Sequence, residues 1–136
     1  MKLEIVADAS GLPLGAAAAA ANVSEYQLAM PALDDVPIRI PKGTLVIADR
    51  GHDSDELRDD IEDEGLEPII PHRRGRVRPS RNDGRRLRRY RRRYVIERTN
   101  AWLHCYRGLA VRWAYYSFMY IGLVYTAFIA MALKRF

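Results

Sequence analysis

Two acidic residues stand where a carboxylate could take part in metal-ion chemistry. Asp49 follows the short apolar run 44–48 and precedes Arg50, so its side chain is expected at the carboxyl end of a strand, where open α/β sheets bind their ligands. Glu97 is the single acid between Arg85 and the C-terminus. Mg²⁺ takes one or two such carboxylates and keeps several waters. Two such ions can activate a water and stabilise the leaving oxygen in a phosphodiester displacement.

Each carboxylate also has a simpler interpretation. An aspartate after a strand commonly hydrogen-bonds the backbone of its own turn, and a lone glutamate among arginines commonly forms a salt bridge. Chemistry on a phosphodiester requires both acids together with cationic side chains that hold the phosphates. The rest of the chain contains such side chains.

Four polar residues around Glu97 have the spacing of one helix face. Tyr90, Arg93 and Glu97 fall at i, i+3 and i+7, and His104 lies a further seven residues on. Residues at these separations share a face of an α-helix. The spacing therefore predicts that the four side chains lie in one row.

The charges of the chain are separated along its length. The net charge of +5 combines a local charge of −10 in residues 1–71 with +15 in residues 72–136. Twelve arginines face one acid, Asp83, in residues 73–93. Arginine without lysine favours bidentate phosphate contacts, although a disordered basic linker can have the same composition. The arginines expected to contact DNA include Arg73, Arg74, Arg85, Arg86 and Arg89.

The first half of the chain predicts strands and short helices that position these residues. Residues 2–8 alternate between apolar and polar types, which indicates a strand followed by a turn at 10–13. The run 15–21 fits either a helix or the second strand of a hairpin. Ser24 is expected to cap a helix over 25–33.

The middle of the chain continues the same alternation. The segment 44–49 is typical of a buried strand, and 67–71 is a second strand candidate. Between them, Asp53 and Glu56 suggest a capping box for an acidic helix over 54–64. Residues 72–84 should form an arginine-rich loop, and one or two long helices should follow. The sequence thus predicts the α/β class, with the sheet in the first half.

Length and composition exclude several classes. The 136 residues fit one domain, and 49% hydrophobic residues exclude wholesale disorder. One cysteine, Cys105, cannot form an internal disulfide, which excludes a disulfide scaffold and favours a reducing compartment. We expect no signal peptide, because no basic region precedes an apolar one at the N-terminus.

The C-terminal stretch 113–133 contains no charged residue. Its length qualifies it as a transmembrane candidate. Tyrosines are spread through it, however, whereas membrane helices keep aromatic residues mainly at the interfaces. A helix buried against the sheet is the favoured interpretation, and a membrane location is not expected.

Three strings of the sequence resemble a known family: VADASGLPL, ADRGHDSDELRDDIEDEGLEPIIP and YRRRYVIERTNAWLHCYRGLAVRW. They resemble the C-terminal half of bacterial insertion-sequence transposases of the DDE type. That group carries its third acid in a Y-x2-R-x3-E-x6-K signature, which here reads Tyr90, Arg93 and Glu97, with His104 at the lysine position. The resemblance implies an RNase H-like fold, with Asp49 as second and Glu97 as third catalytic and metal-binding acid.

The resemblance also implies an activity and its partners. Family members use Mg²⁺ or Mn²⁺ to cleave a DNA strand at the transposon end and to join the freed 3′-OH to target DNA. The implied partners are transposon ends and target DNA, with no small-molecule substrate. The implied location is the bacterial cytoplasm, in association with the nucleoid.

The sequence departs from the family pattern at several positions. The first catalytic aspartate lies upstream of the VADASGLPL-like segment, so residues 1–136 are expected to form a partial catalytic domain that is inactive alone. Self-association or an upstream transposase half could complete it, and Asp8 is a further candidate ligand. His52 and Asn100 stand where aromatic residues are common, and His104 is expected to weaken a phosphate contact. The alternatives are a non-catalytic basic DNA-binding module and a small membrane-anchored basic protein.

Overall fold

The computed structural model describes residues 1–111 and 114–135, and within these ranges the chain is of mixed α/β type. Its strands and helices, in chain order, are β1 (Lys2–Ala7), β2 (Pro13–Ala19), α1 (Glu25–Asp34), β3 (Leu45–Ile47), α2 (Asp55–Asp63), β4 (Glu67–Ile69), α3 (Gly84–Leu87), α4 (Tyr94–His104), α5 (Arg107–Ala110) and α6 (Ser117–Leu133). Two 3₁₀ segments, Arg50–His52 and Arg88–Arg93, precede α2 and α4.

Strands β1 and β2 form an antiparallel hairpin in which Lys2 lies opposite Ala19. The alanine run that fitted either a helix or a strand is therefore a strand. The side chains of this strand are small, which lets α1 and α6 both pack closely on β2. A Cβ atom on Gly15 would lie only 2.5 Å from the carbonyl oxygen of Ala32 in α1, so this face admits no larger residue at that position.

Strands β3 and β4 pair in parallel, with Leu45 opposite Glu67. Parallel neighbours need a crossover connection, which α2 provides. The predicted helix is confirmed, but the predicted cap is wrong. Ser54 is the N-cap, and its hydroxyl accepts a hydrogen bond from the backbone N–H of Leu57. Asp53 has a different role, described below.

A single sheet was expected in the first half, whereas the described residues form two separate two-stranded sheets. Helices pack against each two-stranded sheet, and no further strand extends either of them within the described residues. Helix α6 covers the hairpin, and its inward side chains include Val124 and Met131. A second apolar cluster joins α1 and α2 to the region of β4 through Leu33, Ile61 and Ile70.

The predicted long C-terminal helices are divided into shorter ones. Only a single turn of α-helix and a 3₁₀ segment cover residues 84–93, where adjacent like charges disfavour a regular α-helix. The loop at 72–83 is confirmed. The apolar stretch begins at Trp113, outside the described residues, and α6 accounts for 17 of its positions. No helix within the described ranges has the length and apolar character needed to cross a membrane.

Candidate active site

Asp49 lies just beyond the carboxyl end of β3, as predicted, and caps the 3₁₀ segment. Its Oδ1 accepts a hydrogen bond of 2.8 Å from the backbone N–H of Gly51. The same oxygen lies 2.8 Å from Nδ1 of His52. The side chain is 43% exposed. The aspartate thus stabilises its own turn while its carboxylate still reaches solvent.

His52 connects the end of β3 to the hairpin. It is 6% exposed, and its Nε2 lies 3.1 Å from Oε1 of Glu4 in β1. Burial lowers the pKa of His52, but hydrogen bonds and charge from Glu4 and then Asp49 outweigh it and raise that pKa to about 9. A histidinium ion between two carboxylates therefore holds Asp49 in place.

The His52 imidazole is expected to titrate near pH 9 when followed by NMR. Because its folded pKa is raised above the unfolded value of about 6.5, the protonated ring stabilises the fold. That contribution is complete below pH 6.5 and is lost as the pH rises through about 9. Replacing Glu4 by glutamine should lower the titration midpoint. A wild-type midpoint close to the ordinary histidine value would contradict the assignment.

A third side chain, Glu25, approaches Asp49 from the first turn of α1. Ligand atoms of Glu25, Asp49 and His52 all lie within 4.8 Å of one another. Gly51 makes this approach possible, since a Cβ atom there would overlap the Glu25 carboxylate. The donor set suits Mg²⁺ or Mn²⁺ through its two carboxylates. Both nitrogens of His52 already contact carboxylates, which makes the imidazole a support rather than a ligand.

Arg93 pairs with Glu97, and its charge also acts on Asp49. Its Nη2 donates a hydrogen bond of 2.5 Å to Oε1 of Glu97, and its Nη1 donates one of 2.7 Å to the hydroxyl of Tyr90. Burial raises the pKa of Asp49, but His52, the Gly51 backbone N–H and the charge of Arg93 together lower it. Both acids therefore lie within the electrostatic reach of one guanidinium.

The prediction that four polar side chains lie in one row beside Glu97 is confirmed in part. Tyr90 and Arg93 lie in the 3₁₀ segment rather than in an α-helix, yet they still meet Glu97 in the first turn of α4. His104 is the exposed last residue of α4, about 10 Å along the helix from Glu97. It makes no hydrogen bond to the other three among the described residues.

The arginines of residues 73–93 divide into two groups. Arg73 donates to the carbonyl oxygens of Arg50 and Gly51, and others pair with acids of α2 or β4. The paired ones are Arg76 and Arg78 with Asp55, Arg81 with Asp59 and Glu62, and Arg86 with Glu67. Six exposed arginines make no ion pair with any described residue: Arg74, Arg85, Arg88, Arg89, Arg91 and Arg92. Of the predicted DNA contacts, Arg74, Arg85 and Arg89 therefore carry uncompensated charge, whereas Arg73 and Arg86 have partners within the chain.

Asp53 anchors the arginine-rich loop to α2. Its side chain is 4% exposed and lies 2.7 Å from Nη1 of Arg58, which is 3% exposed. The Arg73 backbone N–H donates 2.7 Å to its other oxygen, and Nδ1 of His72 lies 3.0 Å away. Burial raises the pKa of Asp53, but the bonds from Arg73, His72 and Arg58 outweigh it and hold that pKa far below its usual range.

Two other acids have roles that the sequence did not reveal. Asp8 accepts hydrogen bonds from Ser10 and Leu12 and closes the β1–β2 turn, and it is not part of the cluster around Asp49. Glu25 belongs to that cluster, although its sequence position marked it only as the start of a helix. No local spacing relates residue 25 to residue 49, so sequence patterns alone could not identify it.

Acidic side chains at a strand end and a helix start, in a chain that also carries uncompensated arginines, are groups that bind metal ions and phosphates. The chain belongs to the Transposase DDE domain family, whose model matches residues 1–132. It is 41% identical over 118 residues to the Burkholderia cepacia protein named "Putative transposase for insertion sequence element IS402", covering 82% of this chain. The chain spans about half, 52%, of that relative's length. No solved structure matches it significantly.

Proposed function

We propose that this chain acts in DNA transposition as the part of a DDE transposase that carries the second and third catalytic acids, Asp49 and Glu97. The proposed domain is RNase H-like and spans residues 1–136, with the arginine-rich loop 72–84 inside it. The observation that supports this is the position of Arg93, which hydrogen-bonds Glu97 and lowers the pKa of Asp49 by its charge. One guanidinium thus pairs with Glu97 and acts by its charge on Asp49, 48 positions away in the sequence.

Asp49 and Glu97 would hold Mg²⁺ or Mn²⁺, with Glu25 as a further carboxylate close to Asp49. When bound, such ions activate a water and stabilise the leaving oxygen at a phosphodiester. Within the chain, His52 fixes Oδ1 of Asp49, so the second oxygen is the one directed to a ligand. To hold an ion, Glu97 would have to release Arg93, and that guanidinium would then be available to a DNA phosphate.

The uncompensated arginines would bind the transposon ends and target DNA. Their planar guanidinium groups suit bidentate contacts to phosphate oxygens. Tyr90 and Arg93 would position the strand at Glu97, and His104 would contact phosphate farther along α4. We propose that the protein works at the nucleoid in the bacterial cytoplasm.

Duplex DNA binding is expected to depend steeply on salt. Each phosphate neutralised by the protein contributes about 0.9 to the slope of log K against log salt. Replacing Arg88 and Arg89 by glutamine should therefore reduce the magnitude of that slope by about 2. Fluorescence anisotropy with a labelled duplex, measured over a KCl series, gives the slope.

The matched control replaces Arg78 and Arg81, which already pair with Asp55 and Asp59. Both double variants remove the same formal charge, but the control removes arginines whose charge is compensated within the chain. Its slope should stay close to wild type. Equal slopes for the two double variants would contradict the proposed binding surface.

We further propose that residues 1–136 do not cleave DNA by themselves, because the resemblance assigns them only two of the three acids. The first catalytic aspartate would come from an upstream transposase segment or from self-association. A second candidate function, a non-catalytic basic DNA-binding module, is favoured by one observation: Glu97 is hydrogen-bonded to Arg93 as a simple ion pair. Metal binding by Glu97 separates the two functions.

A further inference from the structure

Two exposed aromatic rings alternate with an arginine along one face of α4. Tyr94 is 59% exposed and Trp102 is 39% exposed. Arg98 lies between them at the i+4 position, with its guanidinium carbon 5.8 Å from the centre of the Tyr94 ring and 5.0 Å from that of Trp102. This face, the aromatic face of α4, begins beside Glu97.

The end of the chain reinforces this face. The guanidinium of Arg135 lies 5.4 Å from the Trp102 ring. Arg98 donates a hydrogen bond to the carbonyl oxygen of Ser10, and Arg135 donates to the same oxygen and to the Ser10 hydroxyl. The β1–β2 turn therefore holds both cations beside the indole ring.

Exposed aromatic rings interleaved with arginines suit one kind of partner. Bases of a single strand have free π-faces that stack on aromatic side chains and on guanidinium planes, while the arginines attract the phosphates. The bases of a duplex are already stacked on one another and cannot use such rings. The local charge agrees, because Glu97, the acid within α4, is already paired with Arg93.

We infer that the aromatic face of α4 binds single-stranded DNA by stacking unpaired bases on Tyr94 and Trp102. The inference rests on the proposed function and deepens it. Because Tyr94 and Glu97 stand three positions apart in α4, their side chains are neighbours on the helix, and a strand bound on this face passes beside the proposed third acid. An end that has been opened or cut would then be held next to the site at which it reacts.

The test compares two labelled probes by fluorescence anisotropy at fixed salt, an oligo-dT of about 12 nucleotides and a duplex of equal phosphate number. Loss of the stacking surface in Trp102→Ala should weaken oligo-dT binding about 5- to 150-fold. Its duplex affinity should stay within about twofold of wild type, since the arginines remain. Trp102→Phe keeps an aromatic ring and should retain most of the oligo-dT affinity.

The control variant is Tyr115→Ala, which removes a tyrosine that is 89% exposed and lies outside α4. It should bind both probes as wild type does, and circular dichroism should show each variant folded. Unchanged oligo-dT binding in Trp102→Ala, or equal losses on both probes, would overturn the inference alone. Failure of the wild-type chain to bind either probe would overturn the proposed function with it.

Discussion

Replacing Asp53 by asparagine is expected to lower the free energy of unfolding by about 3–5 kcal/mol. The change is nearly isosteric but removes the charge that faces Arg58. Both side chains are almost inaccessible, at 4% and 3% exposure, so the guanidinium would be left buried without its closest counter-charge. Urea unfolding followed by circular dichroism gives the free energy directly.

The matched control is Asp59→Asn, the same chemical change at an acid within α2. Asp59 lies 2.7 Å from Nη1 of Arg81, but its side chain is 62% exposed, and exposed ion pairs contribute about 1 kcal/mol or less. Equal losses in the two variants would show that burial of the Asp53–Arg58 pair does not matter.

Lowering the pH should destabilise the wild-type chain for the same reason as Asp53→Asn does, because it removes the charge of Asp53. The folded pKa of Asp53 is depressed, so its contribution to stability is present above the unfolded value of about 3.9 and is lost as the pH falls further. The variant should therefore lose less stability than wild type below about pH 4.

Asp53 also shows where local sequence patterns stop being informative. Residues 53 and 54 are both good helix caps, and the sequence alone could not choose between them. The structure uses Ser54 as the cap because Asp53 is needed elsewhere: by Arg58 within the helix and by the loop residues His72 and Arg73. The hydrogen bond between Asp53 and Arg73, 20 positions apart in the sequence, thus bears on which residue caps α2.

The distinction between local sequence patterns and long-range contacts also applies to the residues of the candidate site. Asp49 and Glu97 could be proposed as site residues because a strand end and an isolated acid among arginines are local signals. Tyr90 and Arg93 followed from spacing, and that spacing survived a change from α-helix to 3₁₀ geometry. Glu25 could not be found in this way, since its approach to Asp49 depends on how α1 packs.

Charge counting had a similar limit. The twelve arginines of residues 73–93 could be counted, but composition does not say which of them find acids. The acidic half of the chain neutralises several through α2, whose acids Asp55, Asp59 and Glu62 face the loop. The strong separation of charge along the sequence is thus partly removed by folding, and the cationic surface is smaller than the sequence suggests.

Asp49→Asn is expected to weaken Mn²⁺ binding by about 100-fold or more, because loss of a ligand should exceed the 10–100-fold cost of losing a supporting residue. Electron paramagnetic resonance titration of free Mn²⁺ measures the affinity. The matched control is Asp8→Asn, which changes an aspartate after β1 whose carboxylate accepts bonds from Ser10 and Leu12. It should bind Mn²⁺ as wild type does, and equal weakening in both variants would remove Asp49 from the metal site.

Glu97→Gln then separates the two candidate functions. If Glu97 leaves Arg93 to bind the ion, as the transposase assignment requires, this variant should lose Mn²⁺ affinity as well. A pure DNA-binding module predicts an unchanged metal response, because Glu97 would serve only as the partner of Arg93. Mg²⁺-dependent nicking of plasmid DNA by the same wild-type preparation, abolished in Asp49→Ala, would instead show that residues 1–136 need no further acid. In that case Glu25, already within 4.8 Å of Asp49 at its ligand atoms, would be the residue to replace next.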